Sequence, residues 1–307
     1  MSNLVKLPER IIGKEKAGTL RPISRGAEKW MYRPIPCLDH GFVYLVDYMG
    51  NDHSVAEAAR VSYGRGTRKV SEDEMLVRYL RRNLHTSPSE MVEFKFHCKM
   101  PIFVARQWIR HRTANVNEYS GRYSEMSDEF YMPDPAQLCR QASDNKQGRG
   151  DALSPKERER AKRIFECIYG RAWRGYRELL SMDLAKELAR IGLSVGNYTE
   201  WYWKMDVHNL FHFLRLRLDR HAQYEIRVYA EAIARIARDA LPVSYRAFEQ
   251  YVLRALHLSE MEIAFIARHP RKLSERAVRE KFFPYVGNKR EVSEFVHKMK
   301  RLHLLAA

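Results

Sequence analysis

The sequence places an Arg-His-Arg triplet, residues 110–112, seven residues before a Ser-Gly-Arg triplet, residues 120–122. Each guanidinium offers a planar fork of donors that matches two oxygens of a phosphate or carboxylate. Neighbouring side chains on a helix point about 100° apart, so the first triplet converges on one ligand only where a helix opens into a loop. The pattern predicts a binding site for a phosphate-bearing ligand, with Gly121 allowing close approach to the backbone.

A solvated basic surface is the alternative interpretation of this charge cluster. Large apolar residues are interleaved with the charges, namely Trp108, Ile109, Tyr119 and Tyr123. That mixture is more typical of a lined pocket than of an open surface. Ser120 is also a candidate nucleophile, but a serine nucleophile needs a base within hydrogen-bonding distance, and the sequence shows no such pattern. We therefore assign Ser120 to binding.

A second group of polar residues lies further along the chain. His208 and His212 have the i, i+4 spacing of a helical zinc site, but Asn209 stands where a metalloprotease has its glutamate. We therefore predict no metal here. From its neighbours alone, Arg217 is predicted to be a surface residue paired with Asp219.

Composition excludes several classes of protein. The 307-residue chain has a formal net charge of +16, which favours anionic partners. Its four cysteines are widely spaced without a Cys-x-x-Cys pair, which argues against a disulfide framework and a thiolate zinc site. No apolar run reaches the ~20 residues of a membrane helix, and the N-terminus lacks a signal-peptide core. We expect a cytoplasmic protein.

Hydrophobic periodicity predicts the elements that position these residues. Residues 92–100 alternate strictly between apolar and polar side chains, which predicts a strand with one buried face. Pro101 then begins a helix that delivers Arg110 to its loop. Asp206 is predicted to cap the helix that carries His212.

The remaining segments are predicted to be mainly helical. A strand is expected at 41–47, a turn at 85–90 and a loop at 133–153. Helices are expected at 54–61, at 71–84 with a capping box at 71–74, at 154–182, at 184–191, in a run ending before Pro242, and in 243–307 with breaks at Pro270 and Pro284. The predicted class is α+β, a mostly antiparallel sheet flanked by helices. We divide the chain into a basic N-terminal arm (1–40), a central domain (41–240) and a helical basic extension (241–307).

The Arg-His-Arg triplet, seven intervening residues and Ser120 resemble the signature of the flavin-dependent thymidylate synthases. The run 101–108 and the Ser-Gly-Arg-Tyr-Ser stretch, 120–124, are similar to the same family, and the resemblance extends from about Gly41 to about Ala240. It implies an enzyme that methylates dUMP to dTMP, with methylenetetrahydrofolate as carbon donor and FAD, reduced by NADPH, as hydride carrier. It also implies a homotetramer whose sites are shared between subunits.

The resemblance also implies roles for individual residues. Arg217 is implied to be catalytic, since a cation beside the uracil ring stabilises negative charge on the base. Cofactor-binding roles are implied for His85, Ser87, Arg110, His111, Arg112, Glu118, Asp206, His208 and His212. Substrate-binding roles fall to Gln107, Arg110, Glu118, Ser120, Gly121, Arg122, Arg190 and Arg217. The family often carries Asn, Arg and Asn at the positions of Asp206, His208 and His212, and the residues present here keep hydrogen-bonding capacity.

A function of a different class is open at this stage: a basic nucleic-acid-binding protein without catalytic activity, whose aromatic residues stack on bases. It accounts for the net charge of +16 but leaves the ordered block from Gln107 to Ser124 unexplained. We therefore favour the enzyme, with dUMP, folate and pyridine nucleotide as partners, and expect neither nucleic acid nor membrane. The two hypotheses predict different colours for the purified protein, because a protein that binds flavin is yellow.

Overall fold

The computed structural model describes residues 20–61, 73–143 and 148–306. The chain divides into two compact units, the first ending at Val252 and the second beginning at Leu253. Part of the predicted N-terminal arm, residues 1–19, lies outside the described residues. So do residues 71 and 72 of the predicted capping box.

One antiparallel sheet organises the first unit. Among the described residues its strands are β1 (Ile35–Cys37), β2 (Gly41–Met49), β3 (Glu93–Pro101), β4 (Asn115–Glu118) and β7 (Tyr198–Asp206). Two further strands, β5 (Cys139–Gln141) and β6 (Arg149–Ala152), form a separate hairpin. The order is β1-β2-β3-β7-β4, and every neighbouring pair is antiparallel. The predicted class, α+β with an antiparallel sheet, is confirmed.

Strand β3 lies in the middle of the sheet and has the alternation that the sequence predicted. Phe94, Phe96 and Cys98 are buried, and the residues between them are partly exposed. Because β3 and β7 pair residue by residue, Trp201 and Trp203 continue the same buried layer. Full burial of each Phe side chain stabilises the fold by about 1.5–3 kcal/mol.

Helices pack around this sheet. In the first unit they are α1 (Arg25–Glu28), α2 (Asp52–Arg60), α3 (Asp73–Arg82), α4 (Ile102–Trp108), α5 (Pro155–Ser181), α6 (Lys186–Ala189), α7 (Val207–Arg217), α8 (Tyr224–Ala240) and α9 (Pro242–Phe248). Helix α8 buries one face along its length and packs against β1, β2 and α4. The helices predicted at 54–61 and 154–182, after Asp206 and before Pro242 are confirmed. No helix in the described parts of the chain has the length and apolar character needed to span a membrane.

Three segments differ from the sequence prediction. Within the predicted arm, Ser24 caps α1 and donates its hydroxyl to the carbonyl of Ala240 at 2.7 Å, so this part of the arm is packed rather than extended. The predicted loop 133–153 contains the β5–β6 hairpin, whose strands are too short to show a period in the sequence. The helix predicted at 184–191 shortens to α6 and a 3-10 turn, Arg190–Gly192, where the chain bends towards β7.

The second unit is helical, with α10 (Glu260–Arg268), α11 (Glu275–Val286) and α12 (Lys289–Arg301). These helices share a core formed by Phe265, Val278, Phe282, Val292, Phe295, Val296 and Met299. Pro284 was predicted to break the helical pattern, yet it lies inside α11. It is exposed and two residues from the helix end, and its missing N–H costs the helix one hydrogen bond without ending it earlier.

Candidate functional site

Helix α4 and a buried aromatic cluster position the Arg-His-Arg triplet. Trp108, the last residue of α4, is fully buried. Its ring packs edge-on against Trp201 and Trp203 and stacks on Phe213 at 5.0 Å between centroids. The Arg-His-Arg triplet therefore follows a rigidly packed helix end. The predicted opening from helix into loop is confirmed.

A cleft of about 310 Å³ opens beside the triplet. It is lined by Arg110, His111, Arg112, Thr113, Trp203, Met205, Asn209, His212, Leu216 and Arg217, and we call it the cationic cleft. Three of these described lining residues are arginines and none is acidic. A bound anion would meet positive charge that no lining carboxylate offsets.

Arg217 and His111 are hydrogen-bonded within the cationic cleft. Arg217 donates its Nε–H to Nε2 of His111 at 3.0 Å, which requires a neutral imidazole with its proton on Nδ1. Burial and the charges of Arg217 and His212 lower the pKa of His111 to about 4. Burial also lowers the pKa of His212 and of Arg217. His111 is therefore neutral near pH 7.

The pairing of Arg217 with Asp219 that local sequence suggested is not present. Asp219 Oδ1 instead accepts the backbone N–H of His221 at 2.8 Å. Among the described residues, no carboxylate lies within ion-pair distance of Arg217. The guanidinium keeps its full charge beside the cleft.

Asp206 fixes the start of α7, the helix that carries Arg217. Its Oδ1 accepts the backbone N–H of Asn209 at 2.9 Å, and its Oδ2 accepts the side-chain amide of Asn209 at 2.6 Å. The predicted helix cap is confirmed. Nδ1 of His208 is buried and has no hydrogen-bond partner in the described part of the chain. Across that same part, no group of three or more His, Cys, Asp or Glu side chains lies together as a metal site would require.

A second cleft, of about 170 Å³, lies where the Ser-Gly-Arg triplet meets the segment before β7. It is lined by Ile102, Glu118, Tyr119, Gly121, Met126, Arg190, Leu193, Ser194, Val195 and Thr199, and we call it the Ser-Gly-Arg cleft. Its lining includes one arginine and one glutamate. The charges of this lining balance, which those of the cationic cleft do not.

Gly121 lies directly against Arg190. A Cβ atom on Gly121 would lie 3.0 Å from Cδ of Arg190 and 2.9 Å from Sδ of Met126. Both distances are shorter than an ordinary van der Waals contact. The absence of a side chain at Gly121 therefore leaves room for the side chain of Arg190 to pack against the Ser-Gly-Arg triplet, although the two residues are far apart in the sequence.

Hydrogen bonds hold the other residues of this loop. Glu118 Oε1 accepts the hydroxyl of Thr199 at 2.8 Å. Ser120 Oγ accepts the backbone N–H of Arg122 at 3.3 Å. Arg122 donates Nε–H to Glu187 Oε2 at 2.9 Å in an exposed ion pair. Such a pair is worth about 0–1 kcal/mol, so Arg122 can exchange its carboxylate for a phosphate at small cost.

The remaining predicted site residues lie outside both clefts. The ring of His85 packs edge-on against Tyr79 at 5.8 Å, and Ser87 begins a 3-10 helix, Ser87–Met91, that packs against α7. Gln107 lies on α4, and its buried Oε1 has no hydrogen-bond partner among the described residues.

Thr199, Asn209 and Glu187 are polar residues at or beside the site that the sequence did not predict. Thr199 lies on β7, a strand that was not predicted. A signal was present, because Trp201, Trp203 and Met205 alternate with polar or less buried residues at a period of two. Recognising that period would have placed Thr199 beside the site.

Comparison with known proteins identifies relatives along most of the chain. Residues 44–243 match the sequence model of a family described as thymidylate synthase complementing protein. The chain is 52% identical over 256 residues to the flavin-dependent thymidylate synthase of Ruegeria pomeroyi, covering 82% of this chain and 85% of that protein. It is 50% identical over 254 residues to the enzyme of Rickettsia prowazekii, covering 78% of this chain and 86% of that protein. A similar solved structure is the UMP/dUMP methylase PolB from Streptomyces cacaoi bound with 5-Br dUMP, with a TM-score of 0.65, 32% identity and coverage of 71% of this chain and 99% of that chain.

Proposed function

The chain belongs to the flavin-dependent thymidylate synthase family, and we propose that methylenetetrahydrofolate supplies the carbon and NADPH the reducing equivalents for its reaction. The chain is a flavin-dependent enzyme that methylates dUMP. When bound, FAD supplies the redox chemistry, and the protein binds and orients. No observation favours the alternative of a nucleic-acid-binding protein without catalytic activity.

The cationic cleft is the observation that carries the proposal. Its three arginines, without a lining carboxylate, suit the phosphates of FAD or dUMP. Asn209 and His212 add hydrogen-bonding groups from α7 to the lining of this cleft. These donors fit the flavin, and we propose that Arg110, His111, Arg112, Asp206, His208 and His212 hold it, together with His85, Ser87 and Glu118.

We assign the phosphate of the nucleotide to the residues around the Ser-Gly-Arg cleft, and its uracil ring to the side of Arg217 in the cationic cleft. Arg122 and Arg190 are placed to bind a phosphate, and Gly121 lets backbone and arginine approach together. Gln107, Arg110, Glu118 and Ser120 complete the proposed substrate-binding set. Arg217 is the proposed catalytic residue, because its uncompensated charge can stabilise negative charge on the uracil ring.

We further propose a cytoplasmic homotetramer with sites shared between subunits. Large apolar side chains are exposed next to residues of the Ser-Gly-Arg triplet and cleft, among them Tyr123 at 77% and Ile191 at 75% relative exposure. Exposed apolar surface around a site is typical of an interaction surface, so a second copy of the chain is its expected cover. Analytical ultracentrifugation of the full chain tests the stoichiometry.

Flavin content and product formation test the proposed function. The purified protein should be yellow or should take up added FAD, and dUMP, methylenetetrahydrofolate and NADPH together should give dTMP. Omitting each component in turn identifies the carbon donor and the reductant. A colourless protein that takes up no FAD would overturn the proposal.

A further inference from the structure

We propose that His111 is a positioning residue, which orients the guanidinium of Arg217 towards the bound base by accepting its Nε–H. This inference deepens the proposed function and rests on it, since it takes Arg217 to act on the uracil ring. It gives His111 a role in the chemistry of the base in addition to its proposed contact with the cofactor.

The geometry of the contact supports this role. Arginine has five N–H donors in a rigid planar fork. The bond of 3.0 Å between Arg217 Nε and His111 Nε2 fixes one corner of the fork. The two terminal nitrogens make no hydrogen bond within the described part of the chain, so both remain available to a ligand in the cationic cleft.

The chemistry of the acceptor matters as much as its position. A carboxylate at this place would orient Arg217 but would also neutralise much of its charge. A neutral imidazole accepts the same hydrogen bond and leaves the charge intact. Arg217 therefore keeps the electrostatic effect that a developing anion requires in a site of low dielectric.

The imidazole of His111 is itself held in place. Its ring packs edge-on against Phe213 at 5.0 Å and lies 6.0 Å from the ring of His212. Phe213 in turn stacks on Trp108, so the acceptor is supported by the buried aromatic cluster. The position of Arg217 is therefore supported by a series of packed rings that begins in the core.

The surroundings of His111 keep it in the accepting state. From α7 it faces Arg217 and His212, and in its own loop it is flanked by Arg110 and Arg112. Strand β7 contributes Trp203 and Met205 to the same cleft, and neither side chain titrates near neutral pH. Burial, with the charges of Arg217 and His212, lowers the pKa of His111 to about 4, so the hydrogen bond persists at the pH of an ordinary assay.

Four variants test the proposal. His111→Phe keeps a ring against Phe213 but removes the acceptor, and His111→Gln keeps an acceptor. The other two are Arg217→Lys and the double variant that combines it with His111→Phe. Chemically pre-reduced enzyme is mixed with saturating dUMP and methylenetetrahydrofolate, and dTMP is followed in a single turnover. We expect His111→Phe to slow this step by about tenfold or more, the effect of losing one charged hydrogen bond. His111→Gln should stay closer to the parent.

The double variant separates positioning from a merely structural role. If His111 acts through Arg217, then His111→Phe should slow the parent but add little to Arg217→Lys. A pH profile gives a second readout: the parental step should slow as pH falls towards 4, because a protonated imidazole cannot accept the bond, and His111→Gln should lack that limb.

Two results would overturn the proposal. One is dTMP formation at the parental rate by flavin-loaded His111→Phe. The other is a double variant slower than Arg217→Lys by the same factor that His111→Phe imposes on the parent. Should the parent itself form no dTMP, the proposed function fails. The parent, His111→Phe, Arg217→Lys and the double variant are then compared by calorimetric dUMP affinity, where independent losses, or no losses, overturn the positioning role.

Discussion

The two clefts of the first unit differ in the charge of the groups that contact their arginines. In the cationic cleft, Arg217 has a neutral partner, His111, and keeps its charge. Around the Ser-Gly-Arg cleft, Arg122 is paired with Glu187, and Glu118 joins the lining. The first arrangement suits polarisation of a reacting group, because the charge is preorganised. The second suits reversible capture, because an incoming phosphate replaces an exposed carboxylate.

Replacing Arg217 with Lys should have the largest effect, a loss of rate that tests the role of the cationic cleft. The substitution keeps a charge but loses the planar fork and its bond to His111. We expect the methyl-forming step to slow by about 10²–10³, the usual result of removing one well-placed electrostatic donor. Flavin binding and its reduction by NADPH should survive. A parental rate in single turnover would place Arg217 outside the chemistry.

Arg122→Ala should affect capture rather than chemistry. Loss of a charged hydrogen bond to phosphate should weaken dUMP binding by about 1.5–3 kcal/mol, with FAD binding little changed. Titration of both ligands measures the difference. Glu187→Gln is the matched control, since it breaks the same ion pair but leaves Arg122 free. Its dUMP affinity should stay the same or rise by up to about 1 kcal/mol. Equal losses for dUMP and FAD in Arg122→Ala would contradict the assignment.

Gly121→Ala should have a smaller effect of the same kind. The added Cβ would lie 3.0 Å from Cδ of Arg190 and 2.9 Å from Sδ of Met126, so Arg190 must move. Both contacts are to flexible side chains, and we expect a loss of about 1 kcal/mol in dUMP binding. Gly192→Ala is the control, because a Cβ there meets no atom within 4 Å. Similar affinities for the two variants would show that the packing of Arg190 against the triplet is not required.

Ser120→Ala should have a small effect, comparable to that of Gly121→Ala. Its hydroxyl accepts only a backbone N–H at 3.3 Å among the described residues, and no histidine or carboxylate contacts it there. Removal of one neutral hydrogen bond costs about 0.5–1.5 kcal/mol, so the variant should still form dTMP. Turnover at background level, with dUMP still bound and flavin still reducible, would mean that Ser120 is a nucleophile.

Local sequence signals predicted the elements that support the site. The alternation over residues 92–100 gave β3, Pro101 marked the start of α4, and Asp206 capped α7 because its carboxylate satisfies a free backbone N–H. Each of these signals acts within a few residues. Such elements can be predicted without knowing the fold.

Contacts across the fold could not be predicted in the same way. Strand β4 is four residues long and mostly polar, so only its pairing with β7 defines it. The sequence paired Arg217 with Asp219, its close neighbour, whereas the fold pairs it with His111. The contact between Gly121 and Arg190 likewise depends on strand register and helix packing rather than on spacing along the chain.

The buried aromatic cluster also gives the protein an optical property. Three of the five tryptophans in the chain, Trp108, Trp201 and Trp203, lie together, and Trp203 lines the cationic cleft. An excited indole transfers its energy efficiently to a flavin nearby. Binding of FAD in this cleft should therefore quench most of the intrinsic fluorescence. Cofactor occupancy can be followed in the unlabelled protein, including in each variant above, by the brightness of its own tryptophans.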